Sequence, residues 1–432
     1  MEDGTQFTSI TDYKSYDKSL FIDVDAAPVN QLANYAGVNA ETYTQELRLV
    51  GDADRMRWVA GVYLLYIDNE SDNGLKAPEN SIIASGGIPI DIGVNAKLET
   101  TSYNLFGQLE YDITDQVSFT LGARAIREEK DFDLGIGIFQ SFGNDSFNRG
   151  PFLEGDDTPI VKYSDDTSKN LWAGKAQLDW RPNEDLLFWA GINRGVKAGS
   201  FNAPLLGTYF GSGGDAALPY KEEVLISYET GFKSTLMDGK TRVNGTLYYY
   251  DYQDYQAFLF VDVGGVVFNA DAETYGAELE VQTSPMDGLD LMANVAWFDS
   301  TVKDVPLRVG SPLPPRDVDP TYAPPFQASG MVRYAWPALG GTLAVQSDVS
   351  YSDGFYYNLR NFSADKFDSY TLVNAMFSWE SSDQQWLATL AGRNITDESA
   401  GIQGFDLATL CGCNEVSYRA RRYYSVGLRY SF

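Results

Sequence analysis

The last eleven residues, Arg422 to Phe432 (RYYSVGLRYSF), constrain the fold more than any other stretch. Tyr424, Val426, Leu428, Tyr430 and Phe432 fall on one side of a period-two pattern; Tyr423, Ser425, Gly427, Arg429 and Ser431 fall on the other. A segment of this kind is a strand with one face in apolar surroundings and one near water. So apolar an edge strand invites aggregation in a soluble protein. In a membrane barrel the last strand pairs with another and faces lipid, so the same pattern is expected there.

The rest of the chain repeats a hairpin rhythm. Aromatic-rich strands are joined by short polar turns at Gly51–Arg55, Asp112–Gln116, Arg181–Asp185, Met237–Lys240, Pro285–Leu289, Pro337–Gly341 and Ser381–Gln384. Asp, Gly, Asn and Pro supply the turn conformations and end the strands. Long connections lie between, around Asp17–Thr42, Asn69–Ala96, Glu129–Ser168, Ala198–Glu222, Lys303–Pro324, Asp353–Asp365 and Thr396–Val416. Short turns at one end and long loops at the other predict an all-β, antiparallel transmembrane β-barrel of about sixteen strands, with the short turns periplasmic. The first strand is expected near Phe7–Tyr16 and the last over Ser417–Phe432. Alternation is clean in places: Val117, Phe119, Leu121 and Ala123 oppose Ser118, Thr120, Gly122 and Arg124. Over Arg57–Asp68 both faces are apolar, and the pattern assigns no outward side.

No stretch approaches the ~20 apolar residues of a spanning helix, which leaves a barrel untouched because its strands alternate. The 28 Tyr, 24 Phe and 8 Trp suit membrane interfaces, where a ring with one wet end sits well. A formal charge of −28 excludes nucleic acid as a partner, since a polyanion would be repelled. With no histidine in the chain, Ser-His triads and His-containing zinc sites are excluded, and an enzyme is not expected. No cofactor is called for. The opening MEDGTQFTSI has no apolar core of a signal peptide, so the chain reads as cut.

Several runs resemble the TonB-dependent outer-membrane receptors. They are YTQELRLV with MRWVAGVYLLYI (43–50, 56–67), FWAGINRGVKAGSFN (188–202) and YKEEVLISYETGFKS (220–234). NGTLYYYDYQDYQ (244–256), FNADAETYGAELE (268–280) and LAGRNITD (390–397) follow in the family's order, and the aromatic ending completes it. The resemblance spans residues 1–432 as one partial barrel domain. It implies uptake of a scarce small-molecule ligand, ferric siderophore or carbohydrate-like, across the outer membrane. Expected partners are outer-membrane lipid, lipopolysaccharide and the ligand, with TonB engaged only through an amino-terminal part not seen here. Family barrels have about 22 strands, so this sequence is expected to be truncated, without plug or TonB-contacting segment. A passive porin is the alternative that strand number favours, and a surface adhesin also fits the long loops.

Candidate ligand residues are Arg194 and Lys197, where a strand meets a long loop and basic groups could guide an anion. More often such residues are luminal charges paired to neighbouring carboxylates, or interface anchors. The run Tyr248–Tyr252, with Tyr255 and Phe258 expected in the loop beyond, is either a stacking surface for rings or an interfacial girdle. Cys411 and Cys413 suggest a local disulfide in the last long loop. The acidic groups Glu154–Asp157, Asp165–Asp166 and Asp317–Asp319 carry oxygen ligands without EF-hand spacing, and solvated loop charge explains them as well.

Overall fold

Backbone at the short turns adopts the left-handed region that hairpins require. Asp54, Met237, Asp238, Leu339 and Gln384 have φ of 34°, 54°, 53°, 53° and 59°, and Gly288 and Gly340 have 78° and 69°. At Gly288 a side chain would also meet the Ala335 carbonyl at 2.0 Å, so only glycine fits. These turns join sixteen long strands in a computed structural model that describes residues 5–24, 28–79, 81, 89–140, 152–153, 158–261, 264–308, 311–408 and 412–432.

The strands are β1 (Gln6–Asp23), β2 (Ala33–Ala53), β3 (Met56–Ala77), β4 (Ile90–Asp112), β5 (Val117–Ile138), β6 (Val161–Asn183), β7 (Leu186–Lys197) and β8 (Glu223–Leu236). There follow β9 (Thr241–Val261), β10 (Gly264–Met286), β11 (Leu289–Val305), β12 (Phe326–Ala338), β13 (Gly341–Ser352), β14 (Tyr370–Ser381), β15 (Trp386–Arg393) and β16 (Tyr423–Tyr430). Each pairs antiparallel with its neighbours in this order, in a sheet whose 17th member is the short strand Arg316–Val318. Among the described residues no ladder joins β1 to β16, and both edge strands are exposed along most of their length. No helix among the described residues is long and apolar enough to cross a membrane, which says nothing of strands. Tyr209 of the short helix α1 (Leu206–Ser212), with flanking Leu205 and Leu218, packs on Val94, Leu134 and Ile136 at the long-loop ends of β4 and β5.

Alternation sorts the side chains onto two faces. The outward face carries rows of apolar residues in register, such as Val426, Leu390, Phe377, Val345 and Tyr334 across β16 to β12. Aromatic rings bound this belt. Tyr103 and Tyr111 on β4, and Trp172 and Trp180 on β6, are all exposed and enclose segments close to the ~9 to 11 residues that a tilted strand needs to cross a bilayer. Tyr13, Tyr43 and Tyr66 lie side by side on three strands, as do Tyr228, Tyr249 and Tyr275. Trp180, Phe188 and Phe232 form a row nearer the turns. Gly245 lets the Phe232 ring lie over β9, since a side chain there would meet it at 2.5 Å. The ambiguous stretch Arg57–Asp68 is resolved: Val62 and Leu64 point outward, while Tyr63 faces the lumen beneath Arg124.

Three expectations are corrected. Much of Asp17–Thr42, Asn69–Ala96 and Glu129–Ser168 is strand rather than loop, because β1 to β6 run on as paired ladders beyond the belt. Charged residues interrupt the apolar pattern of those extensions and pair with one another, as buried Lys76 does with Asp91 at 3.3 Å. The last strand is shorter than Ser417–Phe432, since Cys413–Tyr418 pairs instead with Gly401–Leu407 in a separate hairpin. Finally, Tyr255 and Phe258 lie within β9 and not in a loop.

Candidate functional site

The tyrosine run of β9 divides between the two faces. Leu247 and Tyr249 point outward, 60% and 41% exposed. Tyr248, Tyr250 and Tyr252 therefore point into the lumen. Strict alternation would next turn Tyr255 outward. A bulge between Tyr252 and Tyr255 prevents this: the residues flanking it pair with Ala272 and Ala270, which share a face. The bulge is held by side chains: Asn269 Nδ2 donates to the Asp254 carbonyl at 2.7 Å, and the Gln256 amide donates to Glu223 Oε2 at 2.7 Å. Asp254 itself sits at φ 52°.

Four rings consequently form a luminal ladder. Tyr248 and Tyr250 stack with centroids 4.7 Å apart and planes 25° apart; Tyr250 and Tyr252 follow edge-on at 6.5 Å, and Tyr252 and Tyr255 at 5.6 Å. The ladder borders a cavity of about 270 Å³ that also takes in Phe298, Ser300 and Thr274. Glu229, in register with Tyr248, lies beside the ladder, and Glu278 and Glu223 flank the other rings. Toward the short turns, a polar bay of about 540 Å³ opens against Asn244, Glu278, Glu280, Asn294, Gln327 and Ser350.

Phe258, beyond the bulge and 56% exposed, lies on the opposite face of β9 from Tyr255. With Phe260, Phe405, Leu407 and Leu205 it lines a largely apolar cavity of about 380 Å³ at the long-loop end. Arg194 lies on the outer face, where the interface-anchor alternative puts it. It shares the parity of outward Ile192, its guanidinium stacks over the Trp172 ring at 4.2 Å, and it donates to the Trp172 carbonyl. It packs against the exposed Trp172 and does not reach the lumen. Lys197 ends β7, exposed, in register with Glu223.

Cys411 lies outside the described residues, as does Glu154–Asp157; Cys413 takes part in a disulfide. Asp165 accepts a hydrogen bond from the Tyr163 hydroxyl at 2.7 Å, and Asp317 one from the Asp304 amide at 3.1 Å. Among the described residues no group of three or more acidic or cysteine side chains is placed to hold a metal ion.

One cluster carries no signal in the sequence. Arg360 and Asp406, from two different long loops, form a buried ion pair. Fully buried Asp365 joins them, accepting from Asn414 Nδ2 at 3.1 Å. Burial, and then the neighbouring Asp406 charge, push the Asp365 carboxyl up to about 6. Tyr357 is pushed up to about 12 by the same burial and by Asp365. The cluster ties the 355–367 segment to the 401–418 hairpin.

Comparison with known proteins places this architecture. A profile described as TonB dependent receptor-like, β-barrel matches residues 2–395. Among solved structures, the ferric yersiniabactin uptake receptor FyuA from Yersinia pestis superposes with a TM-score of 0.75 at 15% identity, over 99% of this chain and 58% of that one. The siderophore receptor PiuA from Acinetobacter baumannii gives 0.71 at 15% identity, over 99% and 62%. The copper transporter OprC gives 0.66 at 14%, over 99% and 63%. The chain thus spans about three fifths of the length of these structures. At such identities the likeness is one of fold, and the cargoes in those names differ among themselves. Because the family profile covers nearly the whole sequence, the chain belongs to the TonB-dependent receptor-like β-barrels.

Proposed function

We infer that this chain is the membrane-spanning barrel of an outer-membrane receptor that takes up a scarce small-molecule ligand with energy relayed through TonB. The observation that carries the reading is the division of the sheet. A continuous apolar belt edged by aromatic rings faces outward, and tyrosines, amides and carboxylates face a lumen with cavities of ligand size. The long-loop end is then the cell exterior, and Trp172 with Arg194 sits at the outer lipid interface. Outer-membrane lipid and lipopolysaccharide are its surroundings, and the ligand enters from the long-loop end.

The test compares the parent bacterium, a strain lacking this gene and a strain lacking TonB. Each is grown with one nutrient limiting and supplied in turn as a ferric chelate, a copper complex or an oligosaccharide. The reading predicts that the protein fractionates with the outer membrane and that both deletions cause the same growth defect on one supply. Recovery in another fraction, or uptake that persists without TonB, would overturn it. A passive porin is the second reading, favoured by the sixteen long strands, since barrels of that size enclose aqueous channels. Uniform conductance steps from the protein in planar bilayers, together with TonB-independent uptake, would select it.

A further inference from the structure

We propose that the outward face of β6 to β9 holds one lipopolysaccharide molecule, with an acyl chain in a groove of the apolar belt and a phosphate on Arg194. This rests on the receptor reading above, which puts that face in lipid and Arg194 in the outer leaflet. The groove comes from side-chain size. Leu178, Ala190, Thr230 and Leu247 pair in register across β6, β7, β8 and β9, so two small residues lie between two large ones. The row above, toward the long loops, is Ala176, Ile192, Tyr228 and Tyr249; Phe188 and Phe232 belong to the row below. With Phe119 of β5 as a further wall, the result is an outward groove of about 620 Å³ whose surface is largely apolar. The Thr230 hydroxyl does not alter that character, because it already donates to the Trp189 carbonyl at 2.9 Å. An acyl chain seated there gains close contacts on three sides that a flat stretch of belt does not offer.

Charge sits at one end of this groove. Arg194 is the next outward residue after Ile192 on β7, one row nearer the long loops than Tyr228 and Tyr249. Its guanidinium lies 4.2 Å from the Trp172 ring centroid and uses one donor on the Trp172 carbonyl. No carboxylate among the described residues forms an ion pair with it. Glu129, on the same face, is held by Arg127 at 3.1 Å, and Asp251 lies two strands away in register. Asp131 and Asp166 lie further out along β5 and β6, past Arg127 and Asn170. A guanidinium with most of its planar fork of donors unmatched suits a pair of phosphate oxygens, and beside lipid their attraction is stronger than in water. Lipopolysaccharide joins the two features, since its phosphates lie at the head of several acyl chains, in the leaflet that the long loops face.

The experiment uses the full chain, extracted from outer membranes in mild detergent, stripped of lipid and checked for fold by circular dichroism. Native mass spectrometry counts the lipid retained in titrations with lipopolysaccharide, its dephosphorylated form and phosphatidylglycerol. One lipopolysaccharide should bind per chain, in preference to the other two. Arg194→Gln should weaken it about tenfold, as for the loss of a hydrogen bond to a charged group, and Arg194→Lys should weaken it less. The Gln variant and the unsubstituted chain should bind the dephosphorylated lipid equally, because the interaction is then already gone. Ala190→Phe, which fills the groove, should also cost about tenfold, as for the lost burial of about two methylenes. Val345→Phe, on the outward face of β13 and away from the groove, should change nothing and controls for general damage to the belt. A graded series of adducts with no preferred first one, equal retention of phosphatidylglycerol or of the dephosphorylated lipid, or equal losses in Val345→Phe and Ala190→Phe would overturn the proposal. Each of these results leaves the receptor reading standing, since that reading fails on fractionation or on uptake that persists without TonB.

Discussion

Leu279→Arg is expected to lower the unfolding free energy of the lipid-refolded protein by about 2 to 4 kcal/mol, as for a cation forced onto the lipid face at mid-depth. Leu279 is 45% exposed on the outward side of β10. It pairs with Gly245, which pairs in turn with Phe232, so it lies below the Tyr228, Tyr249, Tyr275 row and within the apolar belt. Its neighbour Glu278 faces the lumen, and Glu278→Gln should shift stability by less than about 0.5 kcal/mol. Denaturant unfolding in vesicles measures both. Equal effects at the two positions would mean that the sheet does not separate lipid from water.

Arg360→Ala should be the most damaging change outside the belt. It leaves Asp406 and Asp365 buried side by side without their cation, and removal of one partner of a buried pair costs about 3 to 5 kcal/mol. It also strips the guanidinium from the Phe362 ring, 5.2 Å away. The loss should be local: hydrogen exchange should speed up in 355–367 and 401–407 while β9 and β10 stay protected. A pH dependence accompanies it. Asp365 is raised from 3.8 to about 6, so the fold favours its protonated form. Its contribution is fully present below about pH 4 and is lost as pH rises through about 6. Protection of these segments in the unsubstituted protein, corrected for intrinsic exchange, should fall over that window, and Asp365→Asn should flatten the profile. Protection that rises with pH would contradict the assignment.

The belt, the turns and the direction of each strand were legible in the sequence because their signals are local. Turn residues act within four positions, and alternation reports on immediate surroundings. Legibility stopped where charged residues interrupt the alternation. Above the belt, residues such as Glu70 and Asp72 read as loop although they sit in the β3–β4 ladder. Tyr255 was misplaced for a different reason. One bulge, set by Asn269 and Glu223 from neighbouring segments, resets the alternation and keeps the ring in the lumen. For Arg194 the sequence leaves luminal guide and interface anchor both open, because a basic residue at a strand end fits either face; register beside Trp172 decides it. The Arg360, Asp406 and Asp365 cluster joins two loops whose existence the sequence indicated but whose contact it did not.

The central claim is the division of β9 between lipid and lumen, and spin labels placed singly at residues 246 to 250 in the vesicle-reconstituted protein test it most directly. Accessibility to oxygen, which partitions into lipid, should peak at 247 and 249. Accessibility to a water-soluble nickel chelate should peak at 246, 248 and 250. Opposite phasing, or two curves without alternation, would contradict both the membrane-spanning barrel and the luminal tyrosine ladder.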